Sequence, residues 1–566
     1  MRLVSNNSGG GGGGGLQPPK ASSASTTGVP RWILAATGIV AALGVAELTR
    51  GRKVAAEEQR RLPPAEVAPL AAGDPVDGLI SMDDVASHNS PESGLWVVIN
   101  GEVYDLTDFV ENHPGGKNVI LKNAGKDVTD IYAPVHPPTA IEDNLEPSNH
   151  LGQVDPKTIK VKQASEESEK DKKRRLALEN LPPVGSMLNL DDFERNAQNI
   201  LTDQAWAYYS SAGDDEITKQ QNRSSYNRIW FKPRILVPVG QVDYSTTLMA
   251  NVSGADTKVS LPIYISPAAM AKLGHPDGEL NLTRAAGRMG IVQGISANAS
   301  VGLDEMLDVR KPGQPTFYQL YVNKDRAASE RILKKIQDRG CTAVMLTVDA
   351  PVMGKREADM RAKGEVVETG GGQGGDPTTS GGGVAAAISG YIDPNLSWDD
   401  IAWYRKTCSL PLILKGIQSI ADVEEAAKRG VEGVVLSNHG GRSLDFSPAP
   451  IDVLIELRQK RPDLFEKIDV YVDGGVRRGT DVLKALALGA KAVGLGRPFL
   501  YAQSGFGEAG AVRAIEIIQD EVERGMRLLG ITSLDQLNPD MIDILPRFFD
   551  PNLSRSAPCP PNSFEG

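Results

Sequence analysis

From Pro262 onward the chain alternates short apolar runs with longer segments of helical spacing. The runs are Pro262–Ser266, Ile291–Ser296, Thr316–Val322, Thr342–Asp349, Pro411–Lys415, Val434–Ser437, Val470–Asp473 and Ala492–Gly496. Each has the length and β-branched content of a strand buried on both faces, as in a parallel sheet. Between them, segments such as Lys324–Arg339, Ile420–Arg429 and Gly479–Leu488 repeat apolar residues every three or four positions. Eight successive strand–helix units over residues 185–545 predict an α/β fold closed as a (β/α)8 barrel; a doubly wound sheet is the other arrangement such a pattern allows. Ahead of it, Leu79–Ser81 and Trp96–Val103 carry strand-like runs, with a hairpin turn at Asn100-Gly101. This marks a smaller domain over 78–155. Lys157–Glu179, dense in charge, predicts a mobile tether or a solvated helix within a linker over 156–184.

Composition narrows the function classes. The 566 residues are too many for one domain. Acidic side chains number 72 against 61 basic ones, a net charge of −11, which argues against a general nucleic-acid binder and suits a basic protein partner. Cys341, Cys408 and Cys559 are too scattered for a disulfide framework or a zinc cluster.

In a barrel of this kind, chemistry collects at the C-terminal ends of the strands. Nearly every predicted end carries polar or small residues: Ser266-Pro267-Ala268-Ala269, Ser296, Gln319 with Tyr321, Thr347 with Asp349 and Arg356 beyond, Lys415, His439 with Arg442, Asp473-Gly474-Gly475-Val476-Arg477, and Gly496-Arg497. His439 can take a proton near neutral pH, and Arg442 offers a planar fork to a carboxylate or phosphate. Taken alone, that turn reads equally as a strand cap with Arg442 paired to Asp445. The last two loops, with paired glycines and arginines, read as a phosphate site or as turn glycines with surface arginines. A lysine such as Lys415 at a barrel mouth suits a flavin ring.

In the smaller domain, His113 and His136 each lie in a proline-containing loop beside apolar residues. Such a pair either ligates a metal from two sides or simply lies in the loops. VYDLTDFVENHPGG resembles the core of the cytochrome b5 family, over about residues 79–155. The resemblance implies a small α+β domain with haem b (protohaem IX) held by His113 and His136, and leaves His88 and His150 as surface residues.

TVDAP, LPLILKG, VVLSNHGGR, VYVDGGVRRGTDVLKALALGA and VGLGRPF together resemble the FMN-dependent 2-hydroxy acid dehydrogenases and oxidases, with Trp206–Tyr209 and Gln319–Tyr321 also matching. This implies a TIM barrel binding FMN, with His439 as catalytic base and Asp349 orienting it. Arg442 and Tyr208 would bind the substrate carboxylate, Tyr321 the hydroxyl, and Arg356 would support the anion. FMN would lie on Ser266, Pro267, Ala268 and Ala269, with Ser296, Gln319, Thr347 and Lys415 about its ring and Asp473, Gly474, Gly475, Val476, Arg477, Gly496 and Arg497 toward its phosphate. Joined to the haem domain, the whole resembles the L-lactate:cytochrome c oxidoreductases. L-lactate or a similar short L-2-hydroxy acid would be oxidised to the 2-keto acid, electrons passing singly through haem to cytochrome c, in a homotetramer. The alternatives are an oxidase using O2 and a mandelate-type dehydrogenase. Asn298, two residues after Ser296, departs from the apolar residue the resemblance implies for lactate-type members.

The first 75 residues stand apart. Residues 1–31 hold no Asp or Glu, and Gly9–Gly15 is all glycine. The uncharged run Trp32–Ala46 is short of the about 20 residues a membrane span needs. Together they resemble a bipartite presequence that delivers a protein to the mitochondrial intermembrane space; a retained anchor or a secretory signal is the other reading. The glycine-rich Ala362–Gly390 falls where the resemblance implies a mobile loop over the barrel mouth, and 546–566 is a C-terminal tail.

Overall fold

A computed structural model describes residues 79–546, except 111–112, 114–116, 133–134, 137–139, 160–167, 251–255 and 364–390. The N-terminal stretch read above as a presequence, the loop after Lys363 and the tail after Pro546 lie outside the described residues. Among those described, no helix is long and apolar enough to cross a membrane.

The smaller domain is built on a hairpin. Strand Gly94–Ile99 pairs antiparallel with Glu102–Asp105, Ile99 opposite Glu102. The turn needs two left-handed residues, and Asn100 (φ 53°) and Gly101 (φ 85°) supply them. His150–Gln153 extends the sheet beyond Glu102–Asp105, and Lys126–Asp127 adds a parallel pairing to Gly94–Ile99. Period-two alternation divides the side chains. Leu95, Val97 and Ile99 pack with Leu106, Val110, Ile120, Ala124 and Val128 on one face, while Val98 and Val103 pack with Val85 and Val154 on the other. The linker contributes the helix Glu169–Glu179, with Ser168 as N-cap and no buried residue, which is the solvated-helix arm of the expectation.

Eight parallel strands close into the expected barrel: β1 Ile263–Ile265, β2 Val292–Ile295, β3 Thr316–Leu320, β4 Ala343–Thr347, β5 Leu412–Ile417, β6 Gly433–Leu436, β7 Asp469–Asp473 and β8 Ala492–Leu495. Closure is made by β8 on β1, Val493 opposite Ile263 and Leu495 opposite Ile265. Alternation again sets the layers. Tyr264, Val292, Phe317, Met345, Ile413, Val435 and Tyr471 form one buried cluster, the barrel interior. Their neighbours Ile263, Ile295, Tyr318, Val344, Leu414, Val434 and Val472 join the larger cluster shared with the surrounding helices. Val135, beside His136, packs against that larger cluster.

A two-stranded hairpin, Thr246–Leu248 with Thr257–Val259, contributes Leu248, Met249 and Val259 to the interior cluster. Its tie to the barrel is polar. The buried Asp469 carboxylate accepts the Met249 N–H at 2.8 Å and the Tyr471 hydroxyl at 3.1 Å. Asp469→Ala strands both donors in an apolar interior, at a cost of about 2–4 kcal/mol. The expected result is a lower midpoint of thermal unfolding, followed by circular dichroism.

Candidate active site

The turn after β6 is held from two sides. Ser437 Oγ accepts the His439 N–H at 3.1 Å, and Asn438 Oδ1 accepts the Gly441 N–H at 3.1 Å. The Asn438 amide also pairs with that of Asn222, at 2.7 and 2.8 Å. His439, Gly440 and Gly441 are all left-handed, with φ of 59°, 65° and 78°. For histidine that conformation costs about 1 kcal/mol or more. A Cβ on Gly441 would lie 2.8 Å from the Lys219 backbone nitrogen, so the turn closes only with glycine there. The strained turn aims the imidazole at the residue after β4. His439 Nδ1 lies 3.0 Å from Asp349 Oδ1, and the Asp349 side chain has no exposure.

That contact sets the chemistry. Burial pushes the Asp349 carboxyl upward, but the His439 and Lys415 charges and the His439 hydrogen bond outweigh it, holding its pKa below the usual carboxylate range. An ionised carboxylate only accepts, so Nδ1 carries the proton and Nε2 is left as a base. The Tyr321 hydroxyl stands 3.4 Å from Nε2, and burial raises its pKa well above the ordinary value, so it remains a donor. By linkage, the Asp349 contribution to stability is full above the unfolded aspartate pKa of about 3.9 and is lost as pH falls through the lower folded value.

The anion-binding groups converge on Tyr208, from the helix Asp203–Ser210. The Arg442 guanidinium lies 5.0 Å from the centre of its ring and the buried Arg356 guanidinium 5.3 Å. Burial raises the Tyr208 hydroxyl pKa, with Arg356 opposing. Arg442 Nη1 donates to the Tyr208 carbonyl at 2.7 Å. The pairing of Arg442 with Asp445 is not formed. Asp445 instead accepts the N–H groups of Asp215, Ile217 and Thr218, at the start of the helix Ile217–Ser224.

The remaining strand ends form a polar rim. Gln319 Nε2 donates to Thr347 Oγ1 at 3.1 Å, and Gln319 Oε1 accepts the Ala297 N–H at 3.1 Å and faces Ser296 Oγ at 3.4 Å. Lys415 Nζ lies 3.3 Å from Ser437 Oγ and 3.7 Å from Asp473 Oδ2. Gly475 (φ 81°) passes so close to Asn222 that a Cβ would meet its carbonyl oxygen at 2.1 Å. The two arginines carry duties the sequence did not reveal. Arg477 faces Asp191 and Glu194 on the helix Leu190–Ile200. Arg497 donates to the carbonyls of Tyr209 (2.8 Å), Gly440 (2.9 Å) and Ser211 (2.7 Å), tying the β6 turn to the helix end that carries Tyr208.

His439, Tyr321, Tyr208, Arg442 and Arg356 line one cavity of about 1110 Å³ together with Pro267–Ala269, Ser296, Lys415, Gly474–Val476 and Gly496. Among the described residues, Ser266 Oγ, Asp473 Oδ1 and Arg477 Nη1 are buried without a hydrogen-bond partner. Unpaired polar atoms along a large cleft fit a ligand with a polar planar ring and a phosphate tail, as FMN has. Nothing near Asn438 in the sequence signals Asn222, which acts from a helix ahead of the barrel.

In the smaller domain the His113 and His136 rings face each other, their centres 6.1 Å apart. Two imidazoles this close, in loops beside apolar residues, would suit the iron of a haem. His136 Nδ1 lies 3.0 Å from the Tyr132 carbonyl, which orients Nε2 as the ligating nitrogen, and Tyr132 stacks on the ring at 4.1 Å. These residues fit a haem. His88 instead stacks on Trp96, and His150 pairs with Glu102.

Residues 197–544 match the family model described as FMN-dependent dehydrogenase, and residues 81–155 match the cytochrome b5-like Heme/Steroid binding domain. L-lactate dehydrogenase (cytochrome) of Wickerhamomyces anomalus is 48% identical over 463 residues, covering 81% of this chain and 79% of that protein. The protein of the same description from Saccharomyces cerevisiae is 46% identical over 483 residues, covering 82% and 80%. A solved structure of a flavocytochrome b2 variant with benzoylformate superposes with a TM-score of 0.61 at 44% identity, covering 71% of this chain and 97% of that one.

Asp349→Asn retains the shape but lets Nδ1 accept, so that Nε2 is protonated. Flavin reduction by substrate in stopped flow should slow by about 10²–10⁴-fold, with flavin content unchanged.

Proposed function

The chain belongs to the FMN-dependent dehydrogenase family, with a cytochrome b5-like domain joined in front, and from that premise we infer that it oxidises L-lactate, or a similar short L-2-hydroxy acid, to the 2-keto acid, passing electrons through FMN and haem b to cytochrome c. The carrying observation is His439 Nε2, freed by Asp349, beside the Arg442 fork in the cavity that fits FMN.

The Arg442 fork receives the substrate carboxylate, with Tyr208 against it and Arg356 adding positive charge. This fixes C2 beside His439 and Tyr321. The Tyr321 hydroxyl donates to the substrate oxygen. His439 Nε2 takes a proton from the C2 hydroxyl in a hydride route, or from C2 in a carbanion route. Asp349 stabilises the imidazolium that results. Bound FMN supplies a two-electron acceptor and bound haem b a one-electron relay. Ser296, Gln319, Thr347 and Lys415 hold the flavin ring, and Gly475, Arg477, Gly496 and Arg497 its phosphate. His113 and His136 hold the haem.

Anaerobic mixing with L-lactate should bleach the flavin first and reduce the haem afterwards. In His113→Ala the haem band and cytochrome c reduction should be lost while flavin bleaching persists. Peroxide production from O2 by wild type, with the haem left oxidised, would instead establish an oxidase.

The same reading makes the protein a homotetramer of the mitochondrial intermembrane space. The family resemblance supports the assembly; the acid-free N-terminus ahead of Trp32–Ala46 supports the location. Native mass spectrometry should give four chains, and fractionation should place the protein outside the inner membrane; a monomer or a matrix location overturns the respective statement.

A further inference from the structure

The arginines after β7 and β8 are spent differently. Each of the three Arg497 nitrogens already donates to a backbone carbonyl, those of Tyr209, Gly440 and Ser211. Arg477 keeps one nitrogen back. Its Nε lies 3.3 Å from Asp191 Oδ1, and its Nη2 pairs with Glu194 Oε2. Its Nη1 is buried and has no hydrogen-bond partner among the described residues. The Arg477 side chain is only 12% exposed, and it lines the cavity with Glu194, Gly475 and Gly496. Burial pulls its pKa down, with Asp191 opposing.

The two carboxylates act from one surface. Asp191 and Glu194 stand three residues apart on the helix Leu190–Ile200, on the same face. Arg223 Nη2 donates to the other Asp191 oxygen at 2.5 Å and fixes that carboxylate in turn. A guanidinium is a rigid planar fork. With the edge of Nε and Nη2 engaged by two acids, its plane and direction are set, and Nη1 is turned away from both carboxylates. A buried, unpaired, charged donor asks for an acceptor. Two negative groups beside a phosphate site also repel a phosphate. Orientation and repulsion therefore push its binding in opposite directions, and a measurement can tell which is larger.

We propose that Glu194 is a positioning residue: with Asp191 on the second contact, it holds Arg477 so that Nη1 is presented to the phosphate of bound FMN. The gain from orientation exceeds the repulsion between the Glu194 carboxylate and that phosphate. Arg497, its nitrogens committed to carbonyls, contributes charge, while Arg477 contributes the free donor. This rests on the reading above that the cavity takes FMN with its phosphate toward Gly475 and Gly496.

The experiment titrates the full-length protein, stripped of flavin, with FMN and with riboflavin, which lacks the phosphate, by isothermal calorimetry. Glu194→Ala should raise the Kd for FMN by about tenfold and leave that for riboflavin unchanged. In an Arg477→Ala background the same change at Glu194 should have no further effect on FMN. Tighter or unaltered FMN binding by Glu194→Ala overturns the proposal, because the carboxylate would then act as an opposing charge or not at all. Equal weakening of both flavins, or the same weakening of FMN with and without Arg477, also overturns it, because the residue would then only pack its helix. Should riboflavin bind too weakly to titrate, the comparison with and without Arg477 decides alone. Wild type that binds FMN no more tightly than riboflavin overturns the phosphate site, and the premise with it.

Discussion

The Asp349 side chain has no solvent exposure, and its burial by itself favours the neutral form. The carboxylate stays ionised because His439, donating to it from Nδ1, and the Lys415 ammonium both face it within the barrel mouth. The dependence runs in both directions: the charge that His439 stabilises is the charge that fixes the imidazole tautomer. The strain stored in the turn at His439, the reciprocal amide pair of Asn438 and Asn222, and the grip of Arg497 on three carbonyls all act to keep that 3.0 Å contact. Lose the alignment and Nε2 no longer faces the cavity as a base.

Much of the site's rigidity comes from chain ahead of the barrel. Asp445 anchors the start of the helix Ile217–Ser224, and Asn222 of that helix braces the β6 turn. Arg497, after β8, reaches the carbonyls at the end of the Tyr208 helix. The active site is thus braced by polar contacts that tie residues 209–222 to turns more than 200 residues further along the chain. The apolar alternation of the strands builds the scaffold, and these contacts decide where each side chain points. The haem module follows a simpler rule. Two imidazoles lie with centres 6.1 Å apart and planes tilted by 32°, and one backbone carbonyl orients the second.

The barrel was legible before any coordinates, because strands buried on both faces leave continuous apolar runs and their C-terminal ends are marked by abrupt polarity. All eight runs became β1–β8 within one or two residues. Asp349 as the partner of His439, and His113 with His136 as a pair, were expected from the family resemblance of the motifs that carry them.

The amino-acid order by itself determined the two domains, the strand count, the hairpin at Asn100-Gly101 and the residues that bear chemistry, because periodicity and turn residues act over a few neighbouring positions. Tertiary structure alone decided which donors are spent and which remain free. Arg442 turns from Asp445 to the Tyr208 carbonyl, and Arg477 faces Asp191 and Glu194. The turn His439–Arg442 named a base and an anion fork; only the folded chain supplied their partners. A hydrogen bond depends on distance and direction in space, and residues remote in the chain leave no local pattern that states it.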